Sequence, residues 1–193
     1  MSYLYLTSLN TNSQYYAKYL PHDIWWLPEI SYKLSESESL IAFLSEDIKK
    51  DHGFVTLVNI SSQAESDLSK ALNLCHQRGW NDILVDGIEG GRHDHLLGGL
   101  AALAGAHPSL NIRANLPSTK LTRFVTGFSD NITLSGTFSV FSFGTSNVTL
   151  LGPEWELNND DVTFSTRGLS NLGNGESELT IHSGDPLFLL INL

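Results

Sequence analysis

The sequence contains few of the residues that mark several common classes of protein. Its single cysteine in 193 residues, Cys75, excludes an internal disulfide framework. Lys and Arg number 11 against 21 Asp and Glu, which gives a formal net charge of −10. A chain this acidic repels the phosphate backbone, so we expect no general nucleic-acid binding. The charge does not exclude a nucleoside triphosphate, because a metal ion and backbone N–H groups can hold one locally.

Long hydrophobic runs are also missing. No apolar run approaches the roughly 20 residues of a membrane-spanning helix, so we expect no membrane partner. The opening segment MSYLYLTSLNTNSQ has neither the basic region nor the apolar core of a signal peptide. We therefore expect a cytoplasmic protein. The 41% hydrophobic residues suffice for a sizeable core, and only 17% of the residues are charged.

The first 117 residues predict an α/β domain with a mostly parallel sheet. Short apolar runs predict strands at 3–6, 24–27, 39–44 and 54–60, and a short helix at 14–20 that Pro21 ends. Residues 62–79 have helical spacing, with one apolar face made of Leu68, Ala71, Leu72 and Cys75. Gly79 is a candidate C-terminal stop of that helix, and the position of Cys75 predicts a buried, reduced thiol.

A strand, a glycine-rich loop and a helix follow in that order. The apolar strand is 83–85, the loop is 86–95 and the helix is 96–106, which is typical of a βαβ architecture. Glycines allow a ligand close to the backbone, and the helix N-terminus offers N–H groups to phosphate. Asp94 suits a metal ion or a proton transfer, or alternatively caps the helix. His93 and His95 raise the hypothesis of a zinc site, but no supporting ligand pattern accompanies them.

The pattern of apolar and polar residues changes from about residue 119. Helical periodicity disappears, and Ser, Thr, Gly and Asn separate short alternating runs. Strands are predicted at 131–134, 137–143, 148–151, 162–165, 178–181 and 187–191. Residues 118–193 therefore predict an all-β, sandwich-like domain in which Trp155 is a core aromatic.

Five segments, in this order and spacing, resemble the motifs of the thiamine pyrophosphokinase family. The stretch 63–72, QAESDLSKAL, resembles (K/Q)D-x-TD-(L/F)-x-KAL, and 90–97, GGRHDHLL, resembles GGR-x-DH-x-L. The strand 136–143, GTFSVFSF, is similar to G-x-x-S-L-x-P. The segments GPEWEL and STRGLSN are similar to GL-x-W-x-L and S-x-G-x-SN. Together these motifs span roughly residues 54–193.

The resemblance implies a reaction, its cofactors and its site residues. ATP would donate its β,γ-pyrophosphoryl group to the hydroxyl of thiamine with Mg²⁺, giving thiamine diphosphate and AMP. A homodimer is implied, with a nucleotide-binding first domain and a thiamine-binding second domain. The catalytic residues that it implies are Asp67, Arg92 and Asp94. The nucleotide-binding and thiamine-binding residues are Gln63, Gly90, Gly91, Ser170 and Asn171. The magnesium ligands are Asp67, Asp94, Glu46 and Asp47.

The sequence departs from the family pattern where acidic residues are expected. The family's Asp-Gly-Gly segment is replaced by residues 27–30, LPEI, and its G-D-x-D-S motif by residues 43–48, FLSEDI. Ala64 replaces the first aspartate of the KD-x-TD segment, with Glu65 beside it, and Gly99 replaces an asparagine. Two alternatives therefore stay open beside the kinase. One is a non-catalytic protein that binds thiamine or its phosphates as a sensor or partner subunit. The other is a kinase or hydrolase acting on another hydroxylated metabolite.

Overall fold

The structure, a computed structural model, describes residues 3–9, 14–20, 64–86, 88 and 93–193. Its contacts divide the chain into two compact units, Met1–Ile112 and Arg113–Leu193, a few residues before the domain boundary that we predict from sequence. The strands predicted at 24–27, 39–44 and 54–60 lie outside the described residues. None of the helices in the described part of the chain is long and apolar enough to cross a membrane.

Three described strands belong to the first unit. Strands β1 (Tyr3–Leu9) and β2 (Gln14–Leu20) form an antiparallel hairpin, with Tyr3 opposite Leu20 and Leu9 opposite Gln14. Strand β3 (Asp82–Asp86) pairs with β1 in parallel. The short helix predicted at 14–20 was wrong. That segment contains three tyrosines, which favour strands, and a hairpin with β1 satisfies its backbone hydrogen bonds.

Two helices flank β3 in sequence. Helix α1 (Asp67–Gln77) begins after Ser66, whose Oγ accepts a 3.2 Å hydrogen bond from the Ser69 N–H, and the whole predicted apolar face of α1 is buried. Gly79 follows the helix with φ +72°, which confirms the predicted stop. Helix α2 (His93–Gly105) buries Ala102 and Leu103. The sequence therefore located both helices correctly to within a few residues.

Cys75 is fully buried, and burial raises the pKa of its thiol to about 12. We expect no reaction of native protein with a thiol reagent at pH 8, and one equivalent of reaction after denaturation.

The folded state holds the thiol proton more tightly than the unfolded state does, so the raised pKa contributes fully to stability below the ordinary value of 9.0. This contribution is lost as the pH rises from 9.0 through the folded value of about 12. Denaturation curves at pH 8 and pH 11 measure this loss, with a Cys75→Ser variant as control. Rapid labelling of the native protein would contradict the burial.

Strands β4 to β10 are continuous in one sheet, in the order β4-β5-β10-β6-β9-β7-β8. They are β4 (Asn111–Leu116), β5 (Thr119–Phe124), β6 (Ser129–Ser142), β7 (Thr145–Leu151), β8 (Leu157–Thr163), β9 (Asn171–Gly184) and β10 (Leu187–Asn192). The pairings β4–β5, β5–β10, β10–β6, β6–β9, β9–β7 and β7–β8 are all antiparallel.

The predicted fold class was therefore wrong on both counts. Among the described strands, β1 and β3 pair in parallel and the other assigned pairings are antiparallel, so no α/β domain with a mostly parallel sheet is seen. After α2, consecutive strands are connected by short turns, such as residues 117–118 between β4 and β5. A two-residue turn can join only antiparallel strands, because parallel strands need a longer crossover connection. The predicted two-sheet sandwich is one continuous sheet, because β6 pairs with β9 and so joins the β4-β5-β10 side to the β7-β8 side.

One face of the sheet supplies the hydrophobic core of the second unit. Eleven buried apolar side chains from β6 to β10 form a single cluster. Its members are Leu134, Phe138, Val140, Val148, Leu150, Leu157, Val162, Leu179, Ile181, Leu187 and Leu189. Alternate residues of β7 enter this cluster, as expected for a strand with one buried face. The rigid sheet supports the loops that follow β7 and precede β9.

Candidate functional site

Two of the predicted catalytic residues belong to the first turns of helices in the first unit. Asp67 is the first residue of α1. Asp94 is the second residue of α2, and its side chain is exposed. Asp94 lies in the first turn of α2. Both positions are electrostatically suited to anions, since a helix N-terminus carries a partial positive charge.

A groove of about 420 Å³ lies between α1 and α2. It is lined from α1 and the preceding turn by residues that include Glu65, Ser66 and Asn73, and from α2 and its end by residues from Gly98 to Ala106. Glu65 accepts a 3.1 Å hydrogen bond from Asn73 Nδ2. Asp94 is not among the lining residues, so the groove does not include the predicted catalytic carboxylate of α2.

Several predicted site residues lie outside the described part of the chain. They are Glu46, Asp47, Gln63, Gly90, Gly91 and Arg92. Their roles stay predictions. Among the described residues, no group of three or more His, Cys, Asp or Glu side chains is arranged to hold a metal ion.

Ser170 and Asn171 stand at the start of β9 in the second unit. Ser170 has φ +60°, a conformation that non-glycine residues rarely adopt, and its N–H donates a 3.0 Å hydrogen bond to Ser139 Oγ. The Asn171 side chain is buried, with 8% exposure. Its Oδ1 accepts hydrogen bonds from the backbone N–H of Trp155 at 3.1 Å and of Leu172 at 2.8 Å. Its Nδ2 donates to the Trp155 carbonyl at 2.7 Å.

The loop 152–156 between β7 and β8 is fixed at both of its ends. Gly152 has φ +105°, and its N–H donates a 2.8 Å hydrogen bond to Glu156 Oε1. A Cβ at Gly152 would lie 2.8 Å from the Glu176 carbonyl oxygen, so this position has no space for a side chain. The Glu154 N–H donates to the Leu172 carbonyl at 2.9 Å. The loop therefore has one defined conformation, set by contacts with β9.

Trp155 is 59% exposed, so its predicted place in the core was wrong. The surrounding sequence Gly-Pro-Glu-Trp-Glu has the composition of a turn, and this signal should have placed the indole at the surface. Leu169 and Leu172, which flank Ser170 and Asn171, are also exposed, at 54% and 39%. Large apolar side chains on a rigid, exposed loop are typical of a binding surface.

Segment 164–169 contacts β6 and leads into Ser170. The Phe164 ring stacks on Phe143, with centroids 5.2 Å apart. Arg167 forms a 2.8 Å ion pair with Asp160. The pKa of the Asp160 carboxyl is lowered, mainly by the hydrogen bond from the Asn158 N–H and secondly by the Arg167 guanidinium. These contacts link segment 164–167 to β8 and to the turn that follows β6.

Gly173 lies on β9, two residues after Asn171. A Cβ at this position would lie 2.6 Å from the carbonyl carbon and oxygen of Leu134 on β6. The backbones of β6 and β9 therefore approach too closely here for any side chain. The aromatic ring near the start of β9 comes instead from Trp155 on the neighbouring loop.

No family model and no curated protein matches the sequence. Among solved structures, thiamine pyrophosphokinase from Bacillus subtilis is similar with a TM-score of 0.57 and 26% identity, over 68% of this chain and 64% of that one. The enzyme from Geobacillus thermodenitrificans matches with a TM-score of 0.56 and 21% identity over the same shares. That from Candida albicans matches with a TM-score of 0.54 and 14% identity, over 77% of this chain and 70% of that one.

The match spans less than two thirds of the two bacterial structures. The similarity of backbone agrees with the sequence resemblance, which rests on five ordered motifs. In fold, the chain is similar to the thiamine pyrophosphokinases.

Proposed function

We propose that this protein transfers the β,γ-pyrophosphoryl group of ATP to the hydroxyl of thiamine, forming thiamine diphosphate and AMP. Nucleotide binding is assigned to the first domain and thiamine binding to the second. The names of the structural neighbours, thiamine pyrophosphokinases from bacteria and a yeast, support this assignment. The motifs around Asp67, Asp94 and Asn171 support it from the sequence. A homodimer is proposed on the same resemblance, and a cytoplasmic location is proposed as the sequence predicts.

The observation that carries the proposal is the exposed indole of Trp155, whose backbone N–H and carbonyl are both hydrogen-bonded to Asn171. Thiamine contains two flat aromatic rings, one of which is a permanent cation. An exposed tryptophan face attracts such a ring by stacking and by the cation–π interaction, and tryptophan is the best aromatic residue for this purpose. The net charge of −10 also favours a cationic ligand over an anionic one at sites away from the nucleotide.

Pyrophosphoryl transfer requires charge neutralisation and alignment more than covalent help from the protein. Asp67 and Asp94 carry carboxylate oxygens, which are the ligands that Mg²⁺ prefers, so the chemistry of these residues fits the ion. We propose that they hold it, while the N–H groups at the start of α2 bind phosphate oxygens. Bound Mg²⁺ would supply positive charge to the triphosphate. Arg92 is proposed to contact phosphate as well.

A non-catalytic thiamine-binding protein is the second candidate. The specific observation in its favour is that the Trp155 surface and its supports all lie in the second unit, whereas the replaced acidic motifs precede residue 65. A protein with this pattern would bind thiamine without consuming ATP. Turnover therefore distinguishes the two candidates, and binding alone does not.

Trp155→Ala is expected to weaken thiamine binding about 30-fold, because a stacking and cation–π partner contributes on the order of 2 kcal/mol. Trp155→Phe should recover part of the loss. Isothermal titration of thiamine into each variant measures the effect. Phe164→Ala, which removes another exposed aromatic of the same unit, is the matched control and should bind thiamine like the wild type. Unchanged affinity in Trp155→Ala would refute the assignment of the thiamine surface.

A further inference from the structure

Asn171 is the buried polar side chain beneath the Trp155 loop. An asparagine amide has two donor hydrogens and one oxygen that accepts two hydrogen bonds. In Asn171 both acceptor positions and one donor are used by backbone groups, two of them on Trp155. The side chain thus pairs with Trp155 as a neighbouring strand would, through one N–H and one carbonyl of the same residue.

The resemblance assigns Asn171 to direct contact with thiamine, and the geometry points to a different role. We infer that Asn171 is a positioning residue, which fixes the backbone of Trp155 so that its indole is held ready for a flat cationic ring. This inference rests on the proposed function. It requires no direct hydrogen bond from Asn171 to the ligand.

The contrast in burial between the two residues supports this role. Asn171 is 8% exposed and Trp155 is 59% exposed, so the amide lies within the protein while the ring faces outward. A flexible indole would lose conformational entropy when a ligand orders it. The hydrogen bonds to Asn171, together with that from Glu154 to Leu172, restrict the loop before any ligand arrives. Preorganisation of this kind raises affinity without adding a contact.

Asn171→Asp tests the inference with little change in shape. The carboxylate can still accept from both N–H groups, but it has lost the donor to the Trp155 carbonyl, and two oxygens then repel each other. We expect thiamine affinity to fall about tenfold, with the KM for ATP unchanged. Asn174→Asp, at an exposed position of the same strand, is the matched control for added charge and should bind normally.

A double-mutant cycle separates positioning from direct contact. In a Trp155→Ala background, Asn171→Asp should cause no further loss of thiamine affinity, because the group that it positions is gone. An equal tenfold loss in both backgrounds would show direct contact with the ligand and overturn the inference. Unchanged affinity of the single Asn171→Asp variant would overturn it as well.

The positioning role has a readout that does not need ligand. The indole N–H resonance of Trp155, one of four tryptophans, is assigned by its absence from the spectrum of Trp155→Phe. In Asn171→Asp this resonance should shift, and its ¹⁵N relaxation should report greater mobility, whereas Asn174→Asp should leave it unchanged. If wild-type protein fails to bind thiamine, the proposed function falls, and this spectrum still decides whether Asn171 orients Trp155. An unaltered resonance would overturn the positioning role.

Discussion

Asp94→Asn is expected to lower kcat for thiamine diphosphate formation by at least about 100-fold, since loss of a group that acts in the transition state typically costs ~3 kcal/mol. The side chain is exposed in the first turn of α2, so its replacement does not disturb a core contact. Asparagine has the size of aspartate but no charge. The affinity for thiamine should be unchanged, because the proposed thiamine surface lies on other elements.

The control for this variant is Asp130→Asn, which removes an exposed carboxylate from β6 in the second unit. Steady-state kinetics with AMP and thiamine diphosphate quantified together measure both variants. The circular dichroism spectrum of each should match that of the wild type. A kcat for Asp94→Asn within twofold of the wild type would remove Asp94 from the catalytic machinery.

Gly173→Ala is expected to destabilise the protein by about 2–3 kcal/mol, the cost of forcing a methyl group into a closely packed position. The new Cβ would meet the backbone of Leu134 at 2.6 Å, and backbone in a paired strand cannot move aside without breaking the β6–β9 ladder. For a chain of this size, the loss corresponds to a decrease in Tm of about 5–10 °C.

Gly98→Ala is the matched control for this substitution. Gly98 lies inside α2, and a Cβ there would have no neighbour within 4 Å. Alanine in place of glycine in a helix stabilises by about 0.5–1 kcal/mol, so the Tm should rise slightly. Thermal unfolding followed by circular dichroism compares the two variants. Equal Tm values for wild type and Gly173→Ala would show that β6 and β9 are not in the register described.

Periodic patterns in the sequence correctly predicted the elements whose stabilising features are close together in sequence. The apolar face of α1, its N-terminal cap and Gly79 at its end are all local, and they predicted the helix correctly. The segment 14–20 was misassigned because its strand conformation depends on pairing with β1, which helical spacing cannot reveal. Strand β5 was missed, and β6 was divided in two because Gly136 interrupts its pattern while the strand continues through it at φ +75°.

The sheet topology and the site were harder to predict, because both depend on contacts distant in sequence. A two-sheet sandwich and a single curled or open sheet have the same alternating pattern, so only the pairings of β6 and β9 distinguish them. The motif containing Ser170 and Asn171 was recognised from the sequence, but the contact of Asn171 with Trp155 was not. The hydrogen bonds that join Asn171 to Trp155 cross 16 residues and depend on the loop after β7.

The central claim is that this divergent chain retains the chemistry of its structural family. The most direct test is incubation of the purified protein with thiamine, ATP and Mg²⁺, followed by chromatographic separation of the products. The account predicts thiamine diphosphate and AMP in equal amounts, with both lost in Asp94→Asn. ADP in place of AMP, or no product from a protein that thiamine stabilises against heat, would contradict it.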